Sequence, residues 1–285
     1  MTVRVLGNAT LDRRYAVDRL PGPGETLLAS DGGAGPGGKG LNQAVAAARA
    51  GASSVLHAPI GADEAGRRLD AALAGEPRLA LRWWSRDLPT DESCIWVDGA
   101  GENAIVSTAR CAASVTPDEA RAALAEAAPG DTLVLQGNLS EAATGAALAA
   151  GRAGGLCAVL NLAPFRFDAA ALARDADLLV VNRPEAARLG LAALDRDGPP
   201  LASRLGCTLV VTLGAEGLRC FTPEGAVLAR AARRVRPVDT TGAGDAFAGT
   251  LAARLDAGCA LDDALAAALE AGTRAVEHPG ALAFD

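Results

Sequence analysis

The residues with the most chemical potential sit in two glycine-dense turns. One is Gly37-Gly38-Lys39-Gly40-Leu41-Asn42, and the other is Asp239-Thr240-Thr241-Gly242-Ala243-Gly244-Asp245. Small residues at the start of a helix leave amide N–H groups without intrahelical partners, and those groups bind anions and hydroxyl-rich ligands. In the second turn the amides of Gly242, Ala243 and Gly244 are suited to hold the charge of a transferring phosphoryl group. Asp245 falls on the first helical turn beside them. A carboxylate there either caps the helix dipole or works as a base, and the whole Gly-Ala-Gly-Asp context favours the base. In the first turn Lys39 stands out because the chain has 27 basic residues and this is its one lysine. A compact ammonium with three rotatable donors fits against an oxygen-rich ligand where a planar guanidinium does not. The letters of this turn also match a P-loop from Gly33 to Lys39 and a dinucleotide fingerprint at Gly33, Gly35 and Gly38. The first lacks the metal-binding Ser/Thr, since Gly40 follows, and the second lacks its framing βαβ unit.

These turns need elements to hold them. Apolar runs alternate with alanine-rich stretches: VRVLG, then a helix over 41–50, SSVLHAPIG, and EAGRRLDAALAG. From Pro117 the rhythm is regular, with strands TLVLQG, CAVLNLA, LLVVN and TLVVTLG separated by helical segments. Such alternation predicts a parallel sheet with helices on both faces, an α/β sandwich. Residues 9–36 and 81–111 break the rhythm; SCIWV and AIVST flank the turn DGAGEN, and the two segments are expected to form a small β-sheet lid.

Composition narrows the function. The net charge of −7, without a basic block, speaks against nucleic-acid binding. No run of 18 apolar residues and no export signal is present, so the expectation is a cytoplasmic protein without a membrane span. Six scattered cysteines without a C-x-x-C pair suit neither a zinc site nor a disulfide framework. With only His57 and His278 available, acid–base chemistry is expected to rest on carboxylates.

The two turns, extended to GGKGLNQAVAAARAG (37–51) and DTTGAGDAFAGTLAARL (239–255), resemble the two signature regions of the ribokinase-like, PfkB-type carbohydrate kinases. PGETL, VDGAGEN, NLAP, VVNRPEA and TLGAEG fall in order between or before them, so the resemblance covers nearly the whole chain. It implies one kinase domain over 1–285, a ribokinase-like three-layer α/β/α sandwich with a lid, and transfer of the γ-phosphoryl of ATP to a sugar hydroxyl. Asp245 would be the base, with Gly242, Ala243 and Gly244 as the anion hole. Asp12, Gly38, Lys39 and Asn42 match sugar-binding positions. Asn182, Thr212, Gly214 and Gly217 match nucleotide-binding ones. Glu185 matches a residue that organises Mg²⁺ through water, and Asp239 a position near a monovalent-cation site, often K⁺. Asn182 and Glu185 are equally suited to cap the helix that follows them. A homodimer through the lid is also implied.

The departures bear on substrate. Thr10 replaces the ribokinase Asn two residues before the sugar-binding Asp, and Gln136-Gly137-Asn138 replaces the segment carrying a ribose-contacting Glu. A changed donor or acceptor in a polar site rejects the original substrate strongly, which puts ribose itself in question. Arg110 is either a contact for a charged substrate group or a solvated surface residue, and Trp83, Trp84 and Trp96 line the lid or a dimer contact or simply pack. A nucleoside or phosphosugar kinase of the same fold, and a sugar-binding sensor without chemistry, stand as alternatives; a dehydrogenase is more distant.

Overall fold

In the computed structural model, residues 1–99, 103–166 and 169–282 are described. The chain begins with strands β1 (Thr2–Leu6), β2 (Thr10–Ala16) and β3 (Ser30–Gly37), helix α1 (Lys39–Arg49), β4 (Ser53–Gly61), α2 (Glu64–Leu73), β5 (Leu79–Arg86), β6 (Glu92–Val97) and β7 (Asn103–Ser107). Short helices α3 (Arg110–Ala113) and α4 (Pro117–Ala122) lead to β8 (Thr132–Gln136), α5 (Glu141–Ala153), β9 (Cys157–Asn161), α6 (Ala169–Ala173) and β10 (Leu178–Asn182). Then come α7 (Arg183–Arg188), α8 (Leu194–Leu205), β11 (Thr208–Thr212), the hairpin β12 (Leu218–Phe221) and β13 (Val227–Arg230), α9 (Ala243–Asp256) and α10 (Leu261–Ala275).

Nine strands form the main sheet in the order β13-β12-β11-β10-β9-β8-β1-β4-β5. The strands from β11 to β5 run parallel, and the β12–β13 hairpin closes one edge antiparallel. All of β8 is buried, which accounts for its unbroken run TLVL: helices cover both faces, so no position is left to water. On one face α1, α2, α9 and α10 pack against Val3, Val5, Leu56 and Val210. On the other, α4, α5, α7 and α8 pack against Leu133, Leu135, Leu160 and Leu209. The expected three-layer α/β/α sandwich is what forms. Among the described residues no helix is long and apolar enough to cross a membrane.

A second sheet, β3-β2-β6-β7, is the lid. The expected lid segment 81–111 is too long at its start: residues 81–86 belong to β5, which pairs parallel with β4 at the edge of the main sheet. The cause is burial on both sides, with Leu81 and Trp83 packed on the α2 side and Trp84 on the opposite core. Trp83 and Trp84 therefore do not line the lid; Trp83 Nε1 donates to Asp70 at 2.7 Å and Trp84 sits against His57, while Trp96 lies on lid strand β6. Residues 100–102 of the expected DGAGEN turn lie outside the described residues. Helix α1 begins two residues ahead of the expected 41–50, because the chain turns at Gly38 (φ 96°) and the Asn42 N–H already donates to the Gly38 carbonyl at 2.8 Å.

Connections leave β1 toward β4 on one side while β8 lies on its other side, so the carboxyl ends of β1 and β8 open a crevice where the strand order reverses. The N-termini of α1 and α9 meet there. Their contact is very close: a Cβ at Gly249 of α9 would stand 2.3 Å from the Gln43 carbonyl oxygen of α1. Only glycine allows the two helices to approach so far that side chains of one turn reach the other.

Candidate active site

Asp245 lies on the first turn of α9 and is buried. Its carboxylate does not cap its own helix, whose N-cap is Gly242 in the left-handed region (φ 81°). Instead Oδ1 accepts from Gln43 Nε2 at 2.9 Å and Oδ2 from Asn42 Nδ2 at 3.2 Å, both on α1. Lys39 Nζ stands 3.9 Å from Oδ1. The Asp245 and Ala246 amides donate back to the Gly242 carbonyl, whereas the Ala243 N–H reaches Thr240 only at 3.5 Å. The mouth of α9 thus presents amides to the crevice, with a carboxylate beside them.

The crevice is a cleft of about 1270 Å³. Asp12, Gly38, Lys39, Asn42 and Asn138 line it together with Asp245, Gly242, Ala243 and Gly244, and so do Asn182, Thr212, Gly214 and Gly217. Residues from β2, the start of α1, the end of β8 and the mouth of α9 are thereby brought together with the loops after β10 and β11. Three expected site residues lie behind this wall. Thr10 Oγ1 donates to Asp12 Oδ1 at 2.6 Å. Asp239 accepts the N–H groups of Thr241 (2.8 Å) and Gly280 (2.9 Å), one on each oxygen, and so ties the loop before α9 to the C-terminal segment. Glu185 forms a capping box with Asn182: its Oε2 accepts from the Asn182 N–H at 2.8 Å, while Asn182 Oδ1 accepts from the Glu185 N–H at 2.9 Å. Arg110 is exposed at the start of α3 and does not line the cleft.

Burial pushes the Asp12 carboxyl above its ordinary value, and the hydroxyls of Thr10 and Ser93 and the charge of Arg14 only partly reverse this, with Asp245 adding repulsion. Asn42 Oδ1 and Asn138 Oδ1 are buried acceptors without a hydrogen-bond partner among the described residues. An unsatisfied buried acceptor costs about 1–3 kcal/mol, which a donating hydroxyl removes. His57 is packed against Trp84, and burial, then Arg4 and Arg82, lower it to about 4. Burial raises the thiols of Cys111, Cys157 and Cys207 to about 11 and that of Cys220 to about 12, and all six cysteines are free.

Sequence reasoning quoted Gln43 within the first signature region and Gln136 within the Gln136-Gly137-Asn138 departure but gave neither a role; their side chains join behind Asp245. It also missed Ser93 and Asn103, which reach the cleft from β6 and β7. Asn103 Nδ2 donates to Thr241 Oγ1 at 3.0 Å and joins the lid to the segment before α9. No alternation marks Ser93 and Asn103, since the next residues on the same strand faces, Ile95 and Ile105, are apolar and line the cleft too.

Residues 2–284 match the signature of the pfkB family carbohydrate kinases. The chain belongs to that family. As a pfkB carbohydrate kinase it is a phosphotransferase, and curated relatives at 26–31% identity include ribokinases and deoxyribokinases. It is 31% identical to ribokinase of Haemophilus influenzae over 98% of this chain and 94% of that one. Among solved structures, it superposes on a ribokinase from Thermotoga maritima with a TM-score of 0.84 at 26% identity, covering 100% of this chain and 96% of that one. A ribokinase from Cryptococcus neoformans in complex with ADP gives 0.79 at 30% identity, covering 98% and 95%. The pfkB kinase described here keeps the family's architecture along its full described length, lid included.

Proposed function

We propose that this pfkB kinase transfers the γ-phosphoryl group of ATP to a hydroxyl of a small neutral sugar. The observation that carries the reading is the Asp245 carboxylate at the mouth of α9, held by α1 amides instead of capping its helix, in one cleft with Lys39 and with acceptor oxygens on Asn42 and Asn138. In this reading Asp245 takes the proton of the attacking hydroxyl and the amides of Gly242, Ala243 and Gly244 hold the charge of the group in transit. Asp12, braced by Thr10, together with Gly38, Lys39, Asn42 and Asn138 binds the sugar. Asn182, Thr212, Gly214 and Gly217 bind the nucleotide, the class of ligand named for the Cryptococcus relative, which was solved with ADP.

Two ions accompany the reading. Among the described residues no group of three His, Cys, Asp or Glu side chains gathers to cage a metal. Mg²⁺ would then come with the nucleotide phosphates, and Glu185, one oxygen of which is committed to the Asn182 N–H, would act on it through water. Asp239 is 5% exposed and has no ion pair among the described residues, so its buried negative charge fits a monovalent cation such as K⁺ beside the loop it ties. The lid has free edges at β3 and β7, and Ile105 and Val106 of β7 are exposed; pairing of two lids would cover that edge. A dimer mass at micromolar concentration is the expected result, and a monomer mass counts against lid pairing.

The decisive experiment is a coupled ADP-release screen with Mg-ATP and K⁺ across pentoses, hexoses, ketoses, sugar acids, phosphosugars and nucleosides, run beside Asp245→Asn. A neutral sugar is expected to give turnover that falls by about 10²–10⁴-fold in the variant while ATP binding persists. Full turnover in Asp245→Asn removes the base, and a phosphosugar or nucleoside hit replaces the substrate class.

A further inference from the structure

Behind the carboxylate of Asp245 lies a buried row of amides that continues away from the cleft. Gln43 is fully buried on α1 and donates through Nε2 to Asp245 Oδ1 at 2.9 Å. Gln136 is fully buried at the end of β8 and donates through Nε2 to Gln43 Oε1 at 2.9 Å. The directions of these bonds follow from chemistry. An ionised carboxylate only accepts, so Gln43 must turn its NH₂ toward Asp245 and its carbonyl away. The carbonyl then needs a donor, and the NH₂ of Gln136 supplies it. What is left over is Gln136 Oε1, which is buried and without a partner among the described residues. It stands 2.1 Å from where a Cβ at Gly7 would be, and the Gly40 Cα stands 2.7 Å from the same point, so glycine after β1 makes room both for this side chain and for the start of α1. The fold thus tolerates an unsatisfied acceptor on the amide held in this place.

We propose that Gln136 and Gln43 form a two-amide relay that fixes the orientation of Asp245 and holds its carboxylate as a hydrogen-bond acceptor, and that both act as positioning residues. The proposal rests on Asp245 as the base. Neither glutamine lines the cleft, so neither touches substrate. Gln43 is the inner member and gives the carboxylate one of its two amide donors. Gln136 is the outer member: it prevents Gln43 from turning its carbonyl, instead of its NH₂, toward Asp245. The charged groups that face the carboxylate are Lys39 from α1 and Asp12 from β2, and they are common to every variant below.

The test is the pH dependence of kcat and the KM of the best acceptor sugar in Gln43→Glu, Gln43→Met, Gln136→Met and Asp245→Asn, each checked for a native melting temperature. A second carboxylate at 43 repels the first, and the acid limb of kcat is expected to move up by about two pH units. Losing the donor in Gln43→Met moves it by about one unit, and Gln136→Met by roughly half a unit. In each case kcat at neutral pH falls and recovers on the alkaline side, while the KM for the sugar stays within about threefold, as expected for a group that acts through the base and not on the substrate. A purely structural role would lower kcat at every pH and leave the limb in place. An unmoved limb in folded Gln136→Met and Gln43→Glu, with Asp245→Asn inactive, overturns the relay and leaves the base intact. Turnover in Asp245→Asn overturns both. Should Gln43→Met not fold, the near-isosteric Gln43→Glu and the outer Gln136→Met decide the matter by themselves.

Discussion

Asp12 and Asp131 are both buried carboxylates, and the protein treats them in opposite ways. Asp131 precedes β8; its Oδ1 accepts from the Thr2 N–H and its Oδ2 from Arg4 Nε and the Ala128 N–H. Burial alone would raise this carboxyl, but Arg4 and the two N–H groups outweigh it and hold it below its ordinary value. Asp12, on the lid strand β2, has burial as its largest influence and only the hydroxyls of Thr10 and Ser93 and the more distant Arg14 against it, so it ends above. One carboxylate has its hydrogen bonds completed by the fold. The other is left with capacity to accept from a ligand, and binding sites commonly hold such groups at the expense of stability.

The comparison can be broken at either residue. The larger effect is expected from Asp131→Asn, which leaves Arg4 half of a mostly buried pair and lowers unfolding free energy by about 2 kcal/mol, less than for a fully enclosed pair because solvent reaches the guanidinium. A depressed carboxyl contributes above its ordinary value of 3.8 and loses that contribution as pH falls through the folded value. Urea unfolding should therefore show the gap between the two proteins at neutral pH and its closure below about pH 3.8. Asp12→Asn should act with the opposite sign and about half the size, gaining roughly 1 kcal/mol at neutral pH, because a raised carboxyl loses stability as pH rises from 3.8 through its folded value. The same variant should raise the KM of the sugar at least tenfold, since a charged acceptor is lost from a polar site. A destabilised Asp12→Asn protein that binds sugar as before would show that Asp12 belongs with Asp131.

Much of this was legible in the sequence, and the parts that were not share a cause. The glycine turns announced the starts of α1 and α9, and the position of Asp245 beside the α9 amides followed, because capping and anion binding are local properties. The strands that were read are strands, but the β12–β13 hairpin went unread and residues 81–86 were assigned to the wrong sheet: an extended segment does not say which partner it will pair with, and β5 finds β4 across an intervening helix. Helix α8 holds Pro199 and Pro200 in its interior, against every local rule, and is kept by packing of Leu201, Ala202 and Leu205 on the core. The cap reading of Asn182 and Glu185 is realised in their reciprocal bonds, and the cleft lined by Asn182 leaves the nucleotide reading open beside it. The joint role of Gln43 and Gln136 was not legible because it arises only when α1, β8 and α9 converge.

That convergence has a consequence for how the protein is made. Asn42 and Gln43 are complete early in synthesis, yet the carboxylate they hold arrives about two hundred residues later. No nascent fragment ending before α9 contains the assembled centre, however well its sheet has formed. With Asp245 as the proposed base, a chain that ends before it folds most of its layers without the group that takes the proton, so premature termination there yields silence instead of an uncontrolled kinase.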